Sequence, residues 1–154
     1  METSEVDLKA AHEHFSVHCY NRAWGLLDKP ARTIEENEQM IRLSLASHWH
    51  WTQRDDCTPE NVSAAYWQTS RIYAVLGQGK NARRYGQLCL EASRRDDVAP
   101  FYLAYAYEAL ARAELVAGNR DEMASFREEA YRIASTLPNQ DAQAWLLDDL
   151  ETIE

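Results

Sequence analysis

Three times along this chain a helical run ends in the same way: "NRAWGLLD" at residues 21–28, "SRIYAVLG" at 70–77 and "ARAELVAG" at 111–118. Each has Arg second, then mostly aromatic, aliphatic or small residues, then a stop residue. No other feature constrains the fold as strongly. Equivalent helices, each followed by a partner, form hairpins, and one helical hairpin cannot bury its apolar face alone. Stacked neighbours must supply the missing cover.

The punctuation between these runs predicts seven helices. The first spans about 5–27 and stops at Asp28-Lys29-Pro30. Thr33 and Glu36 have capping-box spacing and open a second, which carries Ile34, Ile41 and Leu45 into the stretch "SHWHWTQRDD". Thr58-Pro59-Glu60 reads as N-cap, proline at the first helical position and an acidic first turn, and opens the third. Gly77 and Gly79 are expected to close it, and a fourth follows over about 81–94. A fifth starts at Asp97 and Pro100 and ends at Gly118; a sixth starts at 119–122 and ends before Pro138; Asn139 caps a seventh over about 140–150. Linkers this short force antiparallel neighbours. The chain is therefore expected to be all-α and a single domain, with hairpins at about 5–52, 59–94 and 98–137 and a capping helix at about 139–152.

The stretch "YAVLGQGKNARRYGQLCLEAS", residues 73–93, resembles the tetratricopeptide repeat. Tyr73, Leu76, Gly77, Ala82 and Leu90 fall where that repeat has its aromatic, its Leu-Gly, its Ala and its late apolar residue, and Ser70 is the small residue at the helix crossing. The match is good over 63–94, fair over 104–134 and poor in the first hairpin, where Asn21 takes the small position and Asp28 replaces Gly. The stop residues Asp28, Gly77 and Gly118 are 49 and then 41 apart, not the usual ~34. The whole chain is similar to small bacterial helical-repeat proteins without an assigned activity. The resemblance implies a right-handed α-α superhelix, a solenoid whose odd-numbered helices line a concave surface.

On that implied surface, helical spacing groups Phe15, His18 and Arg22; then Ala64, Trp67 and Arg71; then Tyr105, Glu108 and Arg112. Guanidinium groups bind carboxylate or phosphate through paired hydrogen bonds, and the aromatics add apolar contact. The expected ligand is an acidic peptide segment, a free carboxyl terminus or a small anion. Other roles fit the same residues. Glu108 and Arg112 are also an i,i+4 pair, Trp67 and Arg71 suit a cation–π contact, and Asp141, Asp148, Asp149 and Glu151 could dock back to neutralise the arginines. Phe101, Tyr102, Tyr105 and Tyr107 form an aromatic cluster that suits a self-association interface, so a homodimeric structural subunit is the alternative.

The histidines are a second focus. His48 and His50 lie two apart, about 200° around a helix, and cannot share a metal from one face. Folding about Pro30 would set His12 across from His48, with His14 and His50 near the same level and Glu13 between His12 and His14. His14 and His18 have the i,i+4 spacing of a two-His chelate, suited to zinc, nickel or copper. A structural role is commoner for such histidines. No metal or other cofactor is expected, and His12, His14, His48 and His50 are the candidates should one be held.

Charge and composition narrow the partners. A formal charge of −9 would repel a phosphate backbone on average, so nucleic acid is not expected. No apolar run approaches the ~20 residues of a membrane helix, so no membrane partner is expected either. The opening "METSEVDLKAAHEHF" lacks the basic region and apolar core of a secretory signal. Cys19, Cys57 and Cys89 are odd in number and lack CxxC spacing, which suits free thiols in a reducing cytoplasm. No Gly-rich phosphate loop, GxSxG or HExxH occurs, and catalysis is not expected. The leading class is a non-catalytic adaptor with a protein or peptide partner.

Overall fold

The Asp7 side chain accepts a hydrogen bond from the Ala10 amide and starts α1 (Leu8–Leu27). The computed structural model describes residues 6–154, so the expected helix start at Glu5 and the first residues of the opening stretch lie outside the described residues. α2 (Ile34–Thr52) starts with the complete capping box: Thr33 Oγ1 accepts from the Glu36 amide, and Glu36 returns a carboxylate to the Thr33 amide. α1 and α2 form one unit, ending at Thr58. Ser16, Cys19 and Ala23 of α1 and Met40, Ser44 and Ser47 of α2 are its buried residues. These are mostly small, so the two backbones come close. Ser47 Oγ donates to the Ser16 carbonyl at 2.6 Å across that seam.

The hairpin register differs from expectation. Arg32 gathers the turn, donating from Nη1 to the carbonyls of Leu26, Leu27 and Lys29 and from Nε to Asn37. The turn is thus centred beyond Pro30, and His12 meets His50, two residues on from the expected His48.

The second unit, Pro59–Glu154, holds α3 (Pro59–Val75), α4 (Gly79–Ser93), α5 (Pro100–Ala117), α6 (Arg120–Ala134) and α7 (Gln140–Glu151). Each helix packs on its successor, except that α7 follows α6 with lighter contact and also touches α5; α3 also packs on α5. Gly77 and Gly118 take positive φ, 75° and 82°, which a side chain would strain. Gly79 corrects the sequence reading. It opens α4 instead of closing α3, and its small size has another use: a Cβ there would lie 3.0 Å from the Ala117 backbone. α5 is covered on several sides, and Ala104, Ala106, Ala109, Ala111 and Ala113 are all buried in it. Such small side chains let α4 and α6 approach; Leu110 fills the space beside Gly86, while Leu146, Leu150 and Ile153 join Met123 and Ile133 at the C-terminal end.

The described residues therefore form an all-α protein of seven helices without strands. Among them, no helix is long and apolar enough to cross a membrane. All three cysteines are free. Cys89 is buried against Ser63 and Ser93, and burial pushes its thiol up to about 12.

Candidate functional site

In the second unit, α5 carries Glu108 into the interior, with no accessible side-chain surface. A carboxylate there needs charged or hydrogen-bonding partners on every lone pair it presents. Three arrive. Trp67 Nε1 of α3 donates to Oε2 at 2.9 Å, Arg71 Nη1 of α3 donates to Oε1 at 3.0 Å, and Arg112 Nε of α5 donates to Oε1 at 2.8 Å. The same arginines reach further. Arg112 Nη2 donates to the Asp149 carbonyl at 3.0 Å and to Thr152 Oγ1 at 2.7 Å, and Arg71 Nη2 lies 3.7 Å from Asp149 Oδ1. Tyr105 donates its hydroxyl to Asp149 Oδ2 at 2.8 Å and meets the Trp67 ring edge-on at 5.5 Å. Ala64 is half-buried one turn earlier on α3.

The sequence-predicted residues Trp67, Arg71, Tyr105, Glu108 and Arg112 thus converge in one polar cluster. Its charges balance formally, with two guanidinium groups against Glu108 and Asp149. Side-chain exposure decides which cation an outside ligand can reach first: Arg71 keeps 21% and Arg112 13%. Burial pulls the Arg71 guanidinium below its usual value, opposed mainly by Glu108. Tyr105 is raised well above a usual phenol, by burial first and then by Asp149. The i,i+4 pairing, the Trp67–Arg71 contact and the docking of acidic α7 all occur together.

Phe15, His18 and Arg22 sit in the first unit, all with exposed side chains. There His12 and His50 bring Nδ1 atoms to 2.8 Å. His14 stacks on His18 at 5.1 Å, and Phe15 touches His14, His18 and His50. His48 is half-buried, and burial lowers its imidazole below the usual value. His50 is lowered too, by burial first and by His12 second. Among the described residues, no group of three or more His, Cys, Asp or Glu side chains is gathered as a metal cage. Trp49 is 56% exposed and meets both His12 and His50 edge-on.

Sequence reasoning missed Arg54. Its guanidinium lies 4.0 Å over the Trp51 ring, grips Asp56 with two hydrogen bonds of 2.8 and 2.7 Å, and reaches Ser16 Oγ at 2.9 Å. That hydrogen-bonded partner holds the Asp56 carboxyl below its usual range. The local signal was readable, since Arg-x-Asp two apart in a turn is a natural chelate. A cleft of about 350 Å³ lies beside it, reached by Lys9, His12, Glu13 and Asp55. Arg83 was missed as well: it pairs with the buried Glu114, which also accepts from Asn119. The expected aromatic cluster turns partly inward, with Tyr107 stacked on Phe126 and Phe101 edge-on to Tyr105. No protein-family model, curated protein or solved structure matches this chain.

Proposed function

We propose that the chain is a non-catalytic interaction module that takes up acidic helical segments on an arginine and aromatic wall in its second unit. One observation carries the reading: α7, an acidic helix of this same chain, reaches that wall with Asp149 and the following turn. A wall that accommodates one acidic helix has the charge, the donor geometry and the aromatic edge needed for another. α7 makes lighter contact with its neighbours than the other helices of the unit do, so a competing segment has less to displace. A tetratricopeptide-like character for this unit is part of the proposal. It is supported by the positive φ of Gly77, the bond from Ser70 Oγ to the Ala82 carbonyl at 2.8 Å, and the lack of room for a Cβ at Gly86.

The test is fluorescence anisotropy of the full chain against labelled acidic peptides, including one that copies residues 139–154. Asp149→Ala should strengthen binding by loosening the internal competitor, and Arg71→Glu should abolish it. Failure of every acidic peptide to bind both the native chain and the Asp149→Ala variant overturns the reading. Light scattering on the same samples distinguishes a monomer that binds peptide from a self-associating subunit.

A further inference from the structure

The first unit carries a separate proposal that does not rest on the second. The geometry points to a two-imidazole site for a transition-metal dication at His12 and His50, of the right-angled kind that Cu(II) and Ni(II) prefer.

The two Nδ1 atoms lie 2.8 Å apart. Without a metal, one ring must donate Nδ1–H to the lone pair of the other, so the rings are in opposite tautomers. Both cannot be protonated on Nδ1 at that distance. If the rings turn so that both lone pairs leave the line joining the nitrogens and converge, with the nitrogens still 2.8 Å apart, a metal about 2.0–2.1 Å from each, the usual metal–imidazole length, would subtend an angle of roughly 85–90°. That is the cis angle of a square-planar or octahedral ion. A tetrahedral zinc site would need the nitrogens about 3.3 Å apart at the same bond lengths.

Entry of the metal moves one proton. The donor ring gives up Nδ1–H and takes a proton on Nε2, so both rings end as Nε2–H tautomers with Nδ1 on the metal. From two neutral rings no net proton is released.

Aromatic side chains flank both rings and limit how far they can swing. Trp49 lies edge-on to His12 at 5.3 Å and to His50 at 5.0 Å, and Phe15 lies 5.5 Å from His50. The two histidines come from different helices, so the hairpin fold itself sets their spacing. Two protein ligands leave the remaining positions to water. Neighbouring His14 and His18 form a rival chelate on one helix, and the experiment must separate the two pairs.

Full-length protein without a polyhistidine tag is titrated with Cu(II), Ni(II) and Zn(II), and imidazole resonances are followed by nuclear magnetic resonance. Substoichiometric Cu(II) should broaden His12 and His50 first, and the electron paramagnetic resonance spectrum should show coupling to two nitrogens. Ni(II) should bind no more weakly than Zn(II). His12→Ala and His50→Ala should each weaken Cu(II) binding by at least the roughly 10–100-fold that loss of a mere supporting contact costs a metal site. The His14→Ala/His18→Ala protein should bind within about twofold of native. Broadening that falls first on His14 and His18 overturns the proposal, as does zinc binding tenfold tighter than nickel. Native-strength Cu(II) binding in both single variants does so too. If a variant loses helicity, the order of broadening in the native protein decides.

Discussion

Replacing Glu108 with alanine tests the electrostatic centre of the second unit. The substitution removes a fully buried carboxylate and leaves two guanidinium groups, 21% and 13% exposed, facing each other across the gap. Breaking a buried ion pair from one side costs about 3–5 kcal/mol, and an orphaned indole N–H adds about 1–3 kcal/mol where it cannot relax. The terms overlap, because Asp149 remains near Arg71 and both arginines can turn partly to water. The expected loss is about 3–4 kcal/mol, a large share of the stability of a small domain. At a typical urea dependence this lowers the unfolding midpoint by roughly 2 M. Circular dichroism at 222 nm during urea titration reads it. A second variant, Arg71→Met/Glu108→Leu/Arg112→Leu, replaces the charges with apolar groups of similar bulk and should recover most of the loss. A Glu108→Ala loss below about 1 kcal/mol would refute the reasoning, and so would a triple variant no more stable than the single one.

Other consequences are checked as simply. Thr33→Ala removes the N-cap of α2 and should cost about 1 kcal/mol in urea unfolding; an unchanged midpoint would show the capping box is idle. Gly86→Ala puts a Cβ 2.9 Å from Cδ2 of the fully buried Leu110; a clash of about 1–3 kcal/mol is offset by the ~1 kcal/mol alanine gains over glycine inside a helix, so the variant should be no more stable than native, and a clear gain in stability would disprove the close approach of α4 to α5. His48 and His50 are lowered in the fold, so the unfolded chain binds their protons more readily. The stability they protect is intact above about pH 6.5 and is lost as pH falls through their folded values. The urea midpoint should therefore drop as pH falls below about 6.5, and less so in His48→Asn/His50→Asn; identical profiles would count against it.

Helix ends were legible because they are written locally. The Thr33–Glu36 box, Pro59, Gly118 and Asn139 each act within one turn of themselves, and the structure uses all of them. Gly79 misled because its reason is tertiary: it is small for the sake of Ala117, far along the chain. The grouping of Trp67 with Arg71, and of Tyr105, Glu108 and Arg112, followed from helical periodicity. Docking of the acidic last helix was among the expected roles, but that Glu108 would be the shared acceptor, and that Asp149 rather than Asp141, Asp148 or Glu151 would be the second anion, depended on how α3, α5 and α7 pack, which spacing does not encode. The histidine register slipped by two for a similar reason. The turn centre depends on Arg32 gathering three carbonyls, and nothing in the run "DKPART" announces that.

Arg112 is one planar fork spanning three acceptors: Nε lies on Glu108, while Nη2 reaches the Asp149 carbonyl and the Thr152 hydroxyl. A lysine at that position would bring the same charge on a single rounded tip, able to satisfy one side of the span and abandon the other. The tether between the long alanine-rich rod and the final turn is therefore a matter of shape as much as of sign.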